Sequence, residues 1–163
     1  MSNKYTREKI KIPASIKPRD RVRIAEVIVN LIINRTAAGL DKNNKEFPNY
    51  TKKYAENKGV DVGEVDLILD GEMLEALEMI SHKSGEIVIG YKDPSDELAG
   101  KVEGNRIGSY GGKPNKKRAR DFLGIDRSDL EIVLDSYLED EPITESDIDI
   151  LARQLADELI GDL

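Results

Sequence analysis

The sequence predicts an α+β fold, because a strong helical pattern near the N-terminus is followed by strand-like segments and by further helices. The first observation is a helical periodicity from about residue 18 to residue 38. The second is a pair of apolar segments, 79–82 and 86–91, on either side of a turn. The third is an amphipathic segment at the C-terminus. Helices combined with a short hairpin are typical of the α+β class.

The first predicted elements are a strand and a long helix. Lys9–Ile12 alternates polar and apolar residues, as a strand does, and Pro13 favours an edge position. The helix begins near Pro18, where a missing N–H is tolerated, and Gly39 is suited to its end. Residues 27–33 are apolar nearly all round, which predicts burial on more than one side of this helix.

Short elements and loops are predicted in the middle of the chain. A polar loop over 40–50 precedes a short helix over 51–58. Residues 65–69 give a weak strand signal, and Gly71 opens a short amphipathic helix. Between the two hairpin strands, residues 83–85 predict a three-residue turn.

The C-terminal part is predicted to contain a loop and two helices. Five of the 13 glycines lie between residues 100 and 114, which predicts a mobile loop. Asp126 or Ser128 is placed to cap the first helix, and Thr144 is placed to cap the last one, after an acidic linker. The apolar stripe of the last helix can dock on its own domain or on a neighbouring copy. Docking on the neighbour is slightly favoured, because Pro142 and the acidic linker separate this helix from the rest of the chain. The stripe consists of Ile148, Leu151, Leu155 and Leu159.

Composition excludes several classes of function. The chain has 163 residues, the usual length of one domain, and it has no cysteine for disulfides, thiolate metal sites or nucleophiles. No apolar run approaches the roughly 18 residues of a membrane span, and the N-terminus lacks an apolar signal core. We therefore expect a soluble protein made in the cytoplasm.

Charge divides the chain into two parts. The formal net charge is −7, which argues against a general nucleic-acid coat and a polybasic membrane binder. Residues 126–163 hold 13 acids and 2 bases, a net charge of −11, so the first 125 residues carry a net charge of +4. An asymmetry of this size indicates a partner.

Three possible ligand sites are disfavoured. Asp41 begins a calcium-like loop, but Lys45 stands where the metal needs an oxygen, which favours an Asx-type turn. His82 is the one histidine and has no second His or Cys, so a surface histidine is favoured over a catalytic base. Residues 108–113 fail the P-loop spacing. With no carboxylate pair marked out as acid and base, we expect no catalytic residue, cofactor or metal, and no enzyme activity.

A basic run follows the glycine-rich segment. Two interpretations of this run are evenly matched. In one, the loop contacts phosphates or an acidic protein surface; in the other, it is only solvated. Only Tyr110 is near for stacking, which disfavours recognition of single-stranded bases. The cations of the run are Lys113, Lys116, Lys117, Arg118 and Arg120.

An ordered set of segments resembles the tailed-phage virion morphogenesis, or tail completion, proteins. The resemblance covers about residues 20–138, and the family often has Arg-Pro-Phe-Leu-Gly where this chain has Arg120-Asp121-Phe122-Leu123-Gly124. The segments are Asn34-Arg35-Thr36-Ala37-Ala38-Gly39-Leu40-Asp41, Phe47-Pro48-Asn49-Tyr50-Thr51-Lys52-Lys53-Tyr54 with Lys58-Gly59, Val65-Asp66-Leu67-Ile68-Leu69-Asp70-Gly71-Glu72-Met73-Leu74, Val88-Ile89-Gly90-Tyr91 and Arg118-Ala119-Arg120-Asp121-Phe122-Leu123-Gly124-Ile125.

The resemblance implies a structural protein of the phage neck, a tail terminator or head–tail joining protein. It implies a long N-terminal helix packed on a small antiparallel or mixed sheet, with residues 1–138 as a tail-completion-like α+β domain. Residues 139–163 lie outside the resemblance, and their own pattern predicts an acidic linker and a C-terminal amphipathic helix. Such a protein forms a ring, commonly a hexamer, that completes the tail and joins it to the head connector, with no cofactor.

The implied partners are other copies of the chain, tail tube and possibly sheath proteins, and head-completion or connector proteins. DNA would pass through the ring without sequence-specific binding, in the virion neck after assembly in the bacterial host cytoplasm. We expect residues 100–120 to form a docking loop and the C-terminal helix to pack on an adjacent subunit or a neck partner. The alternative is a nucleic-acid-binding accessory protein that uses the basic loop 113–120.

Overall fold

The computed structural model describes residues 4–49, 52–59, 61, 71–109 and 112–139. A single 3-10 turn, Lys4–Thr6, precedes the first strand. The described residues combine helices with a small antiparallel sheet, so the α+β class predicted from the sequence is confirmed. The strands are β1 (Arg7–Lys11), β2 (Glu78–Lys83) and β3 (Glu86–Gly90), and the helices are α1 (Pro18–Ala37), α2 (Lys52–Lys58), α3 (Gly71–Glu75), α4 (Asp96–Ile107) and α5 (Arg127–Glu139).

The sheet has the strand order β1-β3-β2, which places β1 at an edge as Pro13 predicts. Lys83 pairs with Glu86, so the hairpin turn has two residues, Ser84 and Gly85, and the predicted three-residue turn is wrong by one residue. Gly85 has a φ of +83°, which glycine adopts at little cost. A bulge between Met79 and Ser81 shifts the register of β2.

Helix α1 packs on β2, β3 and α5. Its ends agree with the prediction, because Gly39 follows the helix with a φ of +85°. The predicted burial on more than one side of the helix is only partly correct. Ile24, Ile28 and Ile32 are buried, and Val29 and Ile33 pack against the core, but Val27 is 50% exposed. The sheet and α5 cover only part of the helix, so the apolar run at its centre extends beyond the surface that they cover.

Helix α4 replaces the first part of the predicted loop. Ser95 caps it by accepting a hydrogen bond from Leu98 N at 3.1 Å, and two acidic residues lie in its first turn. These signals and the buried Val102 offset the cost of Gly100 and Gly104, each about 1 kcal/mol relative to alanine. The proposed docking loop over 100–120 is therefore corrected: a loop begins only at Gly108.

Helix α5 is capped by Asp126, whose carboxylate accepts a hydrogen bond from Asp129 N at 2.8 Å, whereas Ser128 lies inside the helix. Leu130 and Leu134 are buried in the core, which is mainly aliphatic. Helix α5 extends through Glu139, so the acidic linker predicted from residue 139 does not include that residue. The rest of the linker lies outside the described residues, as do the strand over 65–69, Tyr110, and the C-terminal helix with Ile148, Leu151, Leu155 and Leu159.

Candidate partner-binding surfaces

The basic run forms a loop that folds back against the end of α4. Gly108 ends the helix in the left-handed region with a φ of +71°. Asn115 N donates to the Ile107 carbonyl at 2.9 Å, and Arg120 N donates to the Asn105 carbonyl at 2.6 Å. Because the loop closes over Gly108, a Cβ there would collide with the Asn115 carbonyl and lie 2.8 Å from Ala119 N. The loop is thus held at both ends by backbone contacts.

The loop presents most of its predicted cations to solvent. Lys113, Lys116, Lys117 and Arg118 are exposed, so the fold brings these four side chains together on one loop. Arg120 is half-buried and donates to the Pro48 carbonyl at 3.4 Å. Arg120 therefore contributes to attaching the loop to the body.

Arg106 anchors the segment that follows the loop. Its Nε donates to the Asp121 carboxylate at 2.7 Å, and its Nη2 donates to the Glu8 carboxylate at 3.0 Å and to the Leu123 carbonyl at 3.1 Å. A further bond joins Nη1 to the Tyr5 carbonyl at 2.9 Å. Burial opposes the charge of Arg106, but the hydrogen bond and charge of Asp121, with those of Glu8, outweigh it and raise the pKa above its ordinary value. One guanidinium thus ties the N-terminal segment to the segment after the basic loop.

Arg35 anchors the same segment from α1. Its Nη2 donates to the Phe122 carbonyl at 2.7 Å and to the Gly124 carbonyl at 2.8 Å. The residue is 4% exposed, and burial lowers its pKa from the ordinary value against the opposing effect of nearby carboxylates, of which Asp129 is the strongest. Arginine stays protonated in proteins, so a buried positive charge holds two carbonyls in place.

The loop after α1 joins this framework through Asp121. Lys42 N donates to the Asp121 carbonyl at 2.9 Å, and Lys42 Nζ lies 3.0 Å from the Asp121 carboxylate. The Asp41 side chain accepts hydrogen bonds from Asn43 N at 2.8 Å and Lys45 N at 3.0 Å, which confirms the predicted Asx-type turn. Within the described ranges, no three potential metal ligands come together.

His82 is half-buried and contacts the long helix. Arg21 Nε donates to His82 Nδ1 at 3.1 Å, so the imidazole accepts a hydrogen bond between β2 and α1. The predicted surface position is therefore only partly correct.

A second basic surface, which was not predicted from the sequence, lies on the sheet. Directly paired residues of antiparallel strands point to the same side of a sheet, and Lys9 pairs with Val88 while Lys11 pairs with Glu86. The opposite side carries Ile87 and Ile89, which are buried. The Lys-Ile-Lys-Ile alternation contained this signal, because it assigns both lysines to the side away from the core. We call Arg7, Lys9, Lys11 and Lys83 the basic sheet face.

Comparison of the chain with protein-family models, with curated proteins and with solved structures finds no match. Among the residues with described coordinates, no helix has the length and apolarity needed to cross a membrane.

Proposed function

We propose that the chain is a structural subunit of the phage neck, which forms a ring that completes or terminates the tail and joins it to the head connector. The observation that carries the proposal is the contact between segments that are distant in sequence and that together make up the family resemblance. Arg35, in the first segment, holds the carbonyls of Phe122 and Gly124, in the last. Arg120 reaches the Pro48 carbonyl in the second segment. The segments thus contact one another in the fold, which supports treating them together as the signature of one family.

The segment with the departure from the family pattern fits this framework. Where the family often has proline, Asp121 bridges Arg106 on α4 and Lys42 in the loop after α1. These two contacts hold Asp121 in place between the basic loop and Phe122, which is fully buried. The departure is compatible with the same architecture.

The distribution of charge also supports assembly into a ring. A ring is closed by heterologous contacts, in which one surface of a subunit meets a different surface of the next. Opposite charges on the two surfaces favour the correct register and order of assembly. Exposed cations on the loop after α4 and the strongly acidic C-terminal segment are suited to such contacts, with copies of the chain, tail tube or sheath proteins, or connector proteins.

Native mass spectrometry and negative-stain imaging of the purified full chain test the proposal. We expect a discrete closed ring, with six subunits as the first expectation, and no catalytic activity is required of it. A strict monomer at every concentration tested, in both methods, would contradict the proposal.

A nucleic-acid-binding accessory protein is the second candidate function. It is favoured by the exposure of Lys113, Lys116 and Lys117 on one loop. This function predicts duplex binding whose logarithmic salt slope is about −0.9 for each phosphate neutralised. A gel-shift titration at two salt concentrations, with Lys116→Glu/Lys117→Glu as the variant, distinguishes the two functions: steep salt dependence that the variant abolishes supports nucleic-acid binding.

A further inference from the structure

The basic sheet face is organised by the register of the three strands. Three rows of paired residues point away from α1. The rows are Arg7, Gly90 and Glu78; Lys9, Val88 and Ser81; and Lys11, Glu86 and Lys83. The face therefore carries four cations and two carboxylates at its periphery, around a central Val88 that is only 7% exposed.

The cations on this face are available for a partner. Lys9, Lys11 and Lys83 are exposed, and Arg7 is half-buried with its Nη2 bonded to the Lys92 carbonyl at 3.0 Å. Lys83 and Glu86 form an ion pair at 3.5 Å, whereas Lys9 and Lys11 have no ion pair with any described residue. Two adjacent lysines on the edge strand are thus unneutralised.

The rest of the chain supplies a matching charge. Residues 1–139 contain 24 bases and 24 acids, whereas residues 140–163 contain 1 base and 8 acids. The whole net charge of −7 therefore lies in the 24 residues that follow the end of α5 at Glu139. We call residues 140–163 the acidic tail.

The spacing of charges is compatible with direct pairing. Alternate residues of a strand lie about 6.6 Å apart, so Arg7, Lys9 and Lys11 form a row of cations at this interval. In the helix predicted for the acidic tail, Glu145 and Asp149 are four positions apart, which places their carboxylates on one face at a similar interval of about 6 Å. Even without this alignment, a net charge of −7 complements the face.

We propose that the basic sheet face of one subunit binds the acidic tail of a second copy of the chain. The proposal rests on the proposed function, in which copies assemble into a ring, and it names the surface that receives the tail. The tail leaves each subunit after α5 and reaches the sheet of its neighbour, which makes the contact heterologous and capable of closing a ring. The charge pairing sets which surfaces meet.

Carbodiimide cross-linking of the full chain tests this contact, because the reagent joins lysine amines to carboxylates only where they touch. Rings co-assembled from ¹⁵N-labelled and unlabelled chains are cross-linked and digested, and the linked peptides are identified by mass spectrometry. We expect isotope-mixed links between Lys9 or Lys11 and carboxylates of the acidic tail. Links confined to isotope-pure pairs would mean that the tail folds onto its own subunit and would overturn the proposal, as would tail links only to Lys116 and Lys117.

Matched charge reversals give a second measurement. Lys9→Glu/Lys11→Glu is expected to raise the dissociation constant of the assembly by about tenfold or more, since two attractive contacts become repulsive. Lys116→Glu/Lys117→Glu makes the same change in charge on the loop and is expected to leave the tail cross-links to the sheet in place. Adding Glu145→Lys/Asp149→Lys to the sheet variant should recover part of the loss. Urea unfolding of each variant checks that the fold is intact.

The outcomes separate this proposal from the proposed function. If no assembly forms, the neck function fails. If rings form but the sheet variant assembles like the unmodified chain, only the tail–sheet contact fails. Loss of duplex DNA binding in the sheet variant, without any tail–sheet links, would identify a phosphate backbone as the occupant and overturn the proposal.

Discussion

Arg35 and Arg106 hold the segment after the basic loop, and they do so by different means. Arg106 pairs with carboxylates, Glu8 and Asp121, so its charge is neutralised where it lies. Arg35 instead donates to two carbonyls, while its Nε and Nη1 have no hydrogen-bond partner among the described residues. A buried charge without a directly paired carboxylate costs free energy, so Arg35 depends on the surrounding acidic residues.

Replacing Arg106 tests how much this framework contributes to stability. Arg106→Met leaves Glu8 without its counter-ion, leaves Asp121 paired with Lys42 alone and removes two bonds to carbonyls, so we expect the free energy of unfolding to fall by about 2–3 kcal/mol. The control is Lys101→Met, because Lys101 and Glu97 form an exposed pair at 3.5 Å, for which we expect a loss of less than about 1 kcal/mol. Urea unfolding measures both, and equal losses would contradict a special role for Arg106.

Local contacts at the residue scale could be predicted from the sequence, but distant ones could not. The Asx-type turn at Asp41 depends on residues within four positions, and its side-chain chemistry is visible in the sequence. Arg35 meets Phe122 across 87 positions, and nothing in either local pattern indicates the partner. The same holds for Arg106 and Glu8, which are 98 positions apart.

At the scale of elements, the position of a glycine decides its effect more than the number of glycines does. Gly100 lies inside α4, where an added Cβ would meet no atom within 4 Å. Gly108 ends the same helix with a positive φ and with the basic loop closed against it. The density of glycines predicts a loop over both positions, but the cap at Ser95 and the buried Val102 favour the helix.

The two glycines are therefore expected to respond in opposite ways to alanine. Gly100→Ala should stabilise the protein by about 0.5–1 kcal/mol, because it lowers the entropic cost of the helix without a clash. Gly108→Ala should destabilise it by about 1–3 kcal/mol, because the backbone is left-handed and the Asn115 carbonyl lies in the way. Thermal unfolding compares the two variants, and destabilisation by both would show that α4 tolerates no change at Gly100.

For the whole molecule, removing residues 139–163 separates folding from assembly. The described residues contain a buried core that includes Ile24, Ile87 and Phe122, so we expect the truncated chain to unfold with a midpoint close to that of the full chain. The deletion removes 9 acids and 1 base and should weaken assembly markedly, as measured by sedimentation velocity. Assembly of the truncated chain at the level of the full chain would contradict a role for this segment.

Salt distinguishes the charges that assemble the molecule from those that stabilise its fold. Raising the ionic strength from about 0.1 M to about 1 M shortens the Debye length from about 10 Å to about 3 Å, which screens exposed charges such as Lys9 and Lys116. The Arg106 side chain is only 8% exposed, so its pairs with Glu8 and Asp121 are screened much less. We therefore expect the assembly to dissociate over this range of salt concentration while the unfolding midpoint changes little.

Light scattering at each salt concentration measures assembly, and circular dichroism measures the fold. Rings that persist unchanged at high salt would mean that apolar contacts, with Ile148 and Leu151 as the first candidates, hold the subunits together instead.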